Sequence, residues 1–166
     1  AIGYKALEHT NTGTDNIAIG YQALGDKDHH SNCADSDMNI AIGTNAMGGA
    51  WESNKSEGNI AIGYNSMDAV MNGANDNVSV GHTALGALTD GDENVAIGYA
   101  ALLACTSGLR NVMVGRSAGD ELTTGDNNTG IGTYALHQLD ANEDDNTAVG
   151  YNCGANVDGG SQNTLI

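Results

Sequence analysis

The sequence predicts an all-β chain wound as a parallel β-solenoid, a β-roll of about nine coils of roughly 17 residues. Three observations carry that prediction. An asparagine recurs at Asn16, Asn39, Asn59, Asn77, Asn94, Asn111, Asn128, Asn146 and Asn163, in steps of 23, 20, 18, 17, 17, 17, 18 and 17 residues. Four residues after each of the first eight stands a glycine: Gly20, Gly43, Gly63, Gly81, Gly98, Gly115, Gly132 and Gly150. The residues between them read β-branched, small, β-branched, as in Ile17-Ala18-Ile19 and Val95-Ala96-Ile97. Branching at Cβ suits a strand and disfavours a helix.

Each part of the unit has its own reason. The strand holds one branched face and one face of mostly small residues: Ala18, Ala41, Ala61, Ser79, Ala96, Met113, Gly130 and Ala148. The glycine is expected at positive φ, or where a side chain would collide with a neighbouring coil. The asparagine either stacks amide on amide along the rod or tolerates the turn conformation; both roles are structural. A second block follows the glycine, small then large, as in Ala23-Leu24, Ala46-Met47, Ser66-Met67, Ala84-Leu85, Ala101-Leu102 and Ala135-Leu136. A polar turn such as Thr123-Thr124-Gly125-Asp126-Asn127 closes the unit. An amphipathic helix needs about eleven periodic positions, for which the unit has no room. Coils stacked about 4.8 Å apart make a rod about 45 Å long.

Composition narrows the function. The chain has 166 residues, 24 glycines, no proline and no phenylalanine, and is 4% aromatic, which suits a narrow repetitive core. It reads as a single repeat domain over residues 1–166 that starts and stops inside a repeat, and so as a segment of something longer. The two longest units carry insertions near residues 26–37 and 48–57, expected to protrude as loops. A net charge of −16 argues against nucleic acid and anionic membrane as partners. No apolar run is long enough to insert into a bilayer.

The strand is apolar on both faces, and one coil hides only one of them. The expectation is that Ile19, Ile42, Ile62, Ile97 and Ile131 form a buried line inside the coil. Ala18, Ala41, Ala61, Ala96 and Ala148 would then face parallel copies of the same chain. The blocks Asn16-Ile17-Ala18-Ile19-Gly20-Tyr21-Gln22-Ala23-Leu24 and Asn146-Thr147-Ala148-Val149-Gly150-Tyr151-Asn152 resemble the head repeats of trimeric autotransporter adhesins, and more closely repeats of phage and virus tail fibres. That resemblance implies a left-handed parallel β-roll, a parallel homotrimer, and attachment of an extracellular, virion or cell-surface fibre to a host glycan or protein receptor. The 17-residue unit departs from it, being longer than the usual adhesin head repeat.

Catalytic signatures are missing: there is no Walker loop, Rossmann fingerprint or H-E-x-x-H, and the chain is expected not to be an enzyme. Candidate binding residues lie in the insertions. His29, His30, Cys33 and Asp35 offer zinc-type donors, set against a plain solvated loop. His29 and His30 are also candidates for receptor contact. Trp51 is either an exposed ring for a sugar or a ring folded over the solenoid edge. The acidic turns at Asp76, Asp90-Gly91-Asp92-Glu93, Asp126, Asp140, Glu143-Asp144-Asp145 and Asp158 are candidates for Ca²⁺ between coils, or a charged edge that keeps rods apart. Tyr4, Tyr21, Tyr64, Tyr99 and Tyr151 follow the glycine and are expected to cap coil corners; Thr44, His82, Arg116 and Thr133 hold that position elsewhere. The function expected is an adhesive fibre segment. A filament without receptor binding is the alternative, and an ice-binding solenoid is disfavoured because threonine follows the repeated asparagine only in the last three units.

Overall fold

The structure is a computed structural model and describes residues 1–8, 13–25, 36–139, 143–157 and 160–166. Each repeated asparagine is followed at once by a strand. These are β1 (Ile17–Ile19), β2 (Ile40–Ile42), β3 (Ile60–Ile62), β4 (Val78–Val80), β5 (Val95–Ile97), β6 (Val112–Val114), β7 (Thr129–Ile131), β8 (Thr147–Val149) and β9 (Thr164–Leu165). They form one nine-stranded parallel sheet in chain order. Pairing is in register throughout: Ala18 opposes Ala41, Ala41 opposes Ala61, and so on to Ala148 against Leu165. The fold is therefore a parallel β-solenoid, and no helix occurs among the described residues.

The glycine sets the length of each strand. Gly20, Gly43, Gly63, Gly81, Gly98, Gly115 and Gly132 have φ between 135° and 152°, and a Cβ on any of them would land on the carbonyl oxygen of the glycine one rung on. Both reasons expected for glycine hold at once. The chain then turns through residues that alternate into the left-handed region, such as Ala100 (φ 54°) and Leu102 (φ 49°). Rung-to-rung hydrogen bonds hold these residues in place, Ala100 donating to His82 O at 3.0 Å and Leu102 to Ala118 O at 3.0 Å.

The inside and outside of the strand are the reverse of the sequence expectation. Ala18, Ala41, Ala61, Ser79, Ala96, Met113 and Ala148 are buried, at 1% exposure or less. Ile19, Ile62, Ile97 and Ile131 are 37–42% exposed. The physical reason is the width of the coil. Leucine and methionine of the small–large block (Leu24, Met47, Met67, Leu85, Leu102 and Leu136) are fully buried and fill the interior. The strand opposite has room for a methyl group and little more.

A third buried column joins them: Trp51, Met71, Leu88, Cys105, Leu122 and Leu139. Trp51 pairs in parallel with Met71, and Asn72 donates to Thr89 O at 2.9 Å, which sets Met71 beside Leu88. The expectation that residues 49–57 stand clear of the rod is corrected accordingly. Ala50, Trp51 and Ser56 are buried, and only residues 52–55 are exposed. Of the other insertion, Ser36 is buried and Asp37 half-buried, while residues 26–35 lie outside the described residues.

Candidate functional site

The repeated polar residues are structural. Asn39, Asn59, Asn77, Asn94, Asn111, Asn128 and Asn146 are fully buried and stacked as an amide ladder. Asn111 shows its plan. Its backbone N–H and its Nδ2 both donate to Asn94 Oδ1, at 3.0 and 3.1 Å, and Nδ2 also donates to Gly125 O at 2.7 Å. Asn16 and Asn163 extend the ladder at its ends. Of the two readings the sequence left open, the ladder is the one observed.

The acidic turns are tied into a second ladder that the sequence reading missed. Asp37, Asn75, Asp92, Asp126 and Asp144 each accept a backbone N–H from the preceding rung: from Thr14, Glu57, Asn75, Leu109 and Asp126 respectively. The Asp37 carboxyl is held below the usual carboxylate range by the backbone N–H and hydroxyl of Thr14, with Lys55 adding to the effect. Asp76, Glu93 and Asp145 stand exposed beside this ladder. Lys55, Glu57, Asp76, Asp92 and Glu93 line a shallow groove of about 600 Å³. Among the described residues no three His, Cys, Asp or Glu side chains gather in a group that would hold a metal ion. Of the acidic turns read as Ca²⁺ candidates, Asp140 and Asp158 lie outside the described residues. His29, His30, Cys33 and Asp35, the zinc-type set, also lie outside them.

Trp51 is 2% exposed and so cannot offer a ring face to a sugar. It is the bulkiest member of the third core column, which corrects the exposed-ring reading. Cys105 in the same column has its thiol pushed up to about 11 by burial, with Asp126 and Asp90 adding to the rise against a Gly108 N–H. A thiol in that setting is protonated and inert at neutral pH.

What the rod offers to the outside is the strand face. The first and third residues of each strand both point outward, so β-branched side chains form two parallel rows along the sheet. Ile17 is 47% exposed and Val149 40%. Beside these rows runs a line of rings on the residue after each glycine. Tyr4 stacks on Tyr21 with centroids 5.5 Å apart and planes 16° apart. Tyr64 stacks on His82 at 5.0 Å, and His82 on Tyr99 at 5.3 Å. Cations continue the line: Lys5 lies over Tyr4 at 5.9 Å, and Arg116 lies 5.6 Å from Tyr99 and 5.8 Å from Tyr134. Near the far end, His137 contacts the Asp120 carboxylate and tilts against Tyr134 at 5.3 Å. Tyr4, Tyr21, Tyr64, His82 and Tyr99 thus form a surface row, with Tyr21, Tyr64 and Tyr99 about half exposed.

No protein-family profile, curated protein or solved structure matches this chain. The β-solenoid architecture is compatible with the β-roll repeats named above.

Proposed function

We propose that the chain is a structural and adhesive fibre segment, of a virion tail fibre or a cell-surface adhesin, working outside the cell as a parallel bundle of identical chains. The observation that carries this reading is the two outward β-branched rows on an in-register sheet. A continuous apolar stripe of that length is unusual on a chain that stays alone in water. Copies laid side by side in parallel match it rung for rung around one axis, and a homotrimer is the bundle that the repeat resemblance favours. The rod would carry exposed segments, such as residues 52–55, towards a glycan or protein receptor. The reading assigns no catalytic step.

The test is a pair of substitutions on neighbouring residues. Ile97→Glu places a charge on the outward face and is expected to leave the β-sheet circular dichroism intact while shifting the sedimentation coefficient to that of a monomer. Ala96→Glu places the same charge inside the coil and is expected to unfold the chain, since an unpaired buried carboxylate costs several kcal/mol. A parent chain that sediments as a monomer at micromolar concentration would rule out the bundle.

A further inference from the structure

One rung of the ring row lacks both ring and cation between two tyrosines. Thr44 stands between Tyr21 and Tyr64 in register, since Asn45 donates to Tyr21 O at 2.9 Å and Asn65 to Thr44 O at 3.1 Å. Tyr21 stacks on Tyr4 and Tyr64 on His82 with planes only 16° and 24° from parallel. Each of those tyrosines therefore keeps its other face turned towards Thr44. Two rungs separate the faces by about 9.6 Å, and the short exposed threonine forms the floor of an open slot.

We propose that this slot binds an organic cation, a guanidinium or an alkylammonium head. A group centred there lies about 4.8 Å from each ring, inside the reach of about 6 Å over which a cation is held by an aromatic face. The row itself shows the preference. At Arg116 the chain supplies a guanidinium between Tyr99 and Tyr134, and at Lys5 an ammonium over Tyr4. A net charge of −16 draws cations and repels anions along the whole rod. The inference goes beyond the fibre reading and does not depend on it, because the slot is complete within one chain.

The intact chain is titrated with methylguanidinium, tetramethylammonium, tert-butanol and methyl glucoside while the ring resonances of Tyr21 and Tyr64 are followed by NMR. Saturable shifts with the cations, at least tenfold weaker with tert-butanol, are expected. Thr44→Tyr, which places in this rung the residue natural to its neighbours, should fold as the parent does and lose the response. Thr44→Arg should lose it as well, the side chain occupying the slot. Tighter methylguanidinium points to an arginine of a protein partner, and tighter tetramethylammonium to a choline-type headgroup; either supports the proposal. No saturation, an unchanged response in Thr44→Tyr, or tighter binding of methyl glucoside would overturn it.

Discussion

At the scale of single residues, the rod rests on atoms that meet from one rung to the next. The glycine after each strand allows a direct test. A Cβ on Gly98 would strike Gly115 O, and the backbone there, at φ 137°, strains any residue with a side chain. Gly98→Ala combines the strain with a backbone collision and is expected to cost more than about 4 kcal/mol. Urea midpoints of the variant and the parent measure the loss, and equal midpoints would refute the collision. Cys105 gives a pH prediction. Its folded thiol is pushed up to about 11 from an ordinary 9.0. Below pH 9 folded and unfolded chains both carry the proton, so nothing changes. Between about 9 and 11 the unfolded chain ionises first and stability falls, by about 3 kcal/mol in all. Cys105→Ala should remove that part of the alkaline loss, as read from denaturation midpoints at pH 8 and pH 11.

At the scale of the element, one coil breaks the size rule and repairs it. Met113 stands where β1–β5, β7 and β8 have alanine, serine or glycine, and it is fully buried. Gly119 replaces the leucine or methionine of the small–large block in the same coil, and a Cβ there would sit 3.0 Å from the Met113 side chain. In the next rung a Cβ on Gly130 would lie 2.5 Å from Met113 Sδ. Met113→Ala should leave a cavity and cost about 2–4 kcal/mol. Gly119→Leu alone should overpack. The backbone at Gly119 (φ 57°) is that of Leu102 (φ 49°), so leucine is admissible there once Met113 is gone. The double variant should recover most of the loss, with a coupling of about 1–3 kcal/mol in a double-mutant cycle. The same coil shows what the sequence disclosed. The repeat period, the strand starts and the reason for glycine were legible because local propensity and periodicity determine them. The inward face was not, because either face of Ile-Ala-Ile satisfies a period of two. The choice depends on the interior width, which the leucines across the coil fill. The third column was hidden by its variety, Trp51, Met71, Leu88, Cys105 and Leu122 sharing position but not residue type. The tyrosine row was visible, but its stacking and its gap at Thr44 became apparent only with the rungs in register.

At the scale of the whole molecule, a charge of −16 is spread along a thin rod whose coils touch only their neighbours. Attraction to offset it is sparse. The ion pairs described are Lys5 with Glu8, Lys55 with Asp37 and Glu57, and Arg110 with Asp126, all at least partly exposed. Pairs of that kind contribute about 0–1 kcal/mol each. The buried asparagine ladder is made of neutral amides, so salt leaves it almost untouched. The acidic ladder uses carboxylates as acceptors for backbone N–H groups, bonds that do not dissolve when bulk charge is screened. Repulsion among Asp76, Glu93, Asp145 and their neighbours is long-ranged, and it weakens as the screening length falls from about 30 Å at 0.01 M to about 3 Å at 1 M. Raising salt therefore removes more repulsion than attraction. The thermal midpoint is expected to rise by several degrees between about 0.01 M and 1 M NaCl. In the bundle the same screening acts between chains, so the dissociation constant should fall over that range. Scanning calorimetry and sedimentation at the two salt concentrations measure both. A midpoint that falls with salt would mean that the exposed ion pairs, and not the amide and carboxylate ladders, hold the rungs together.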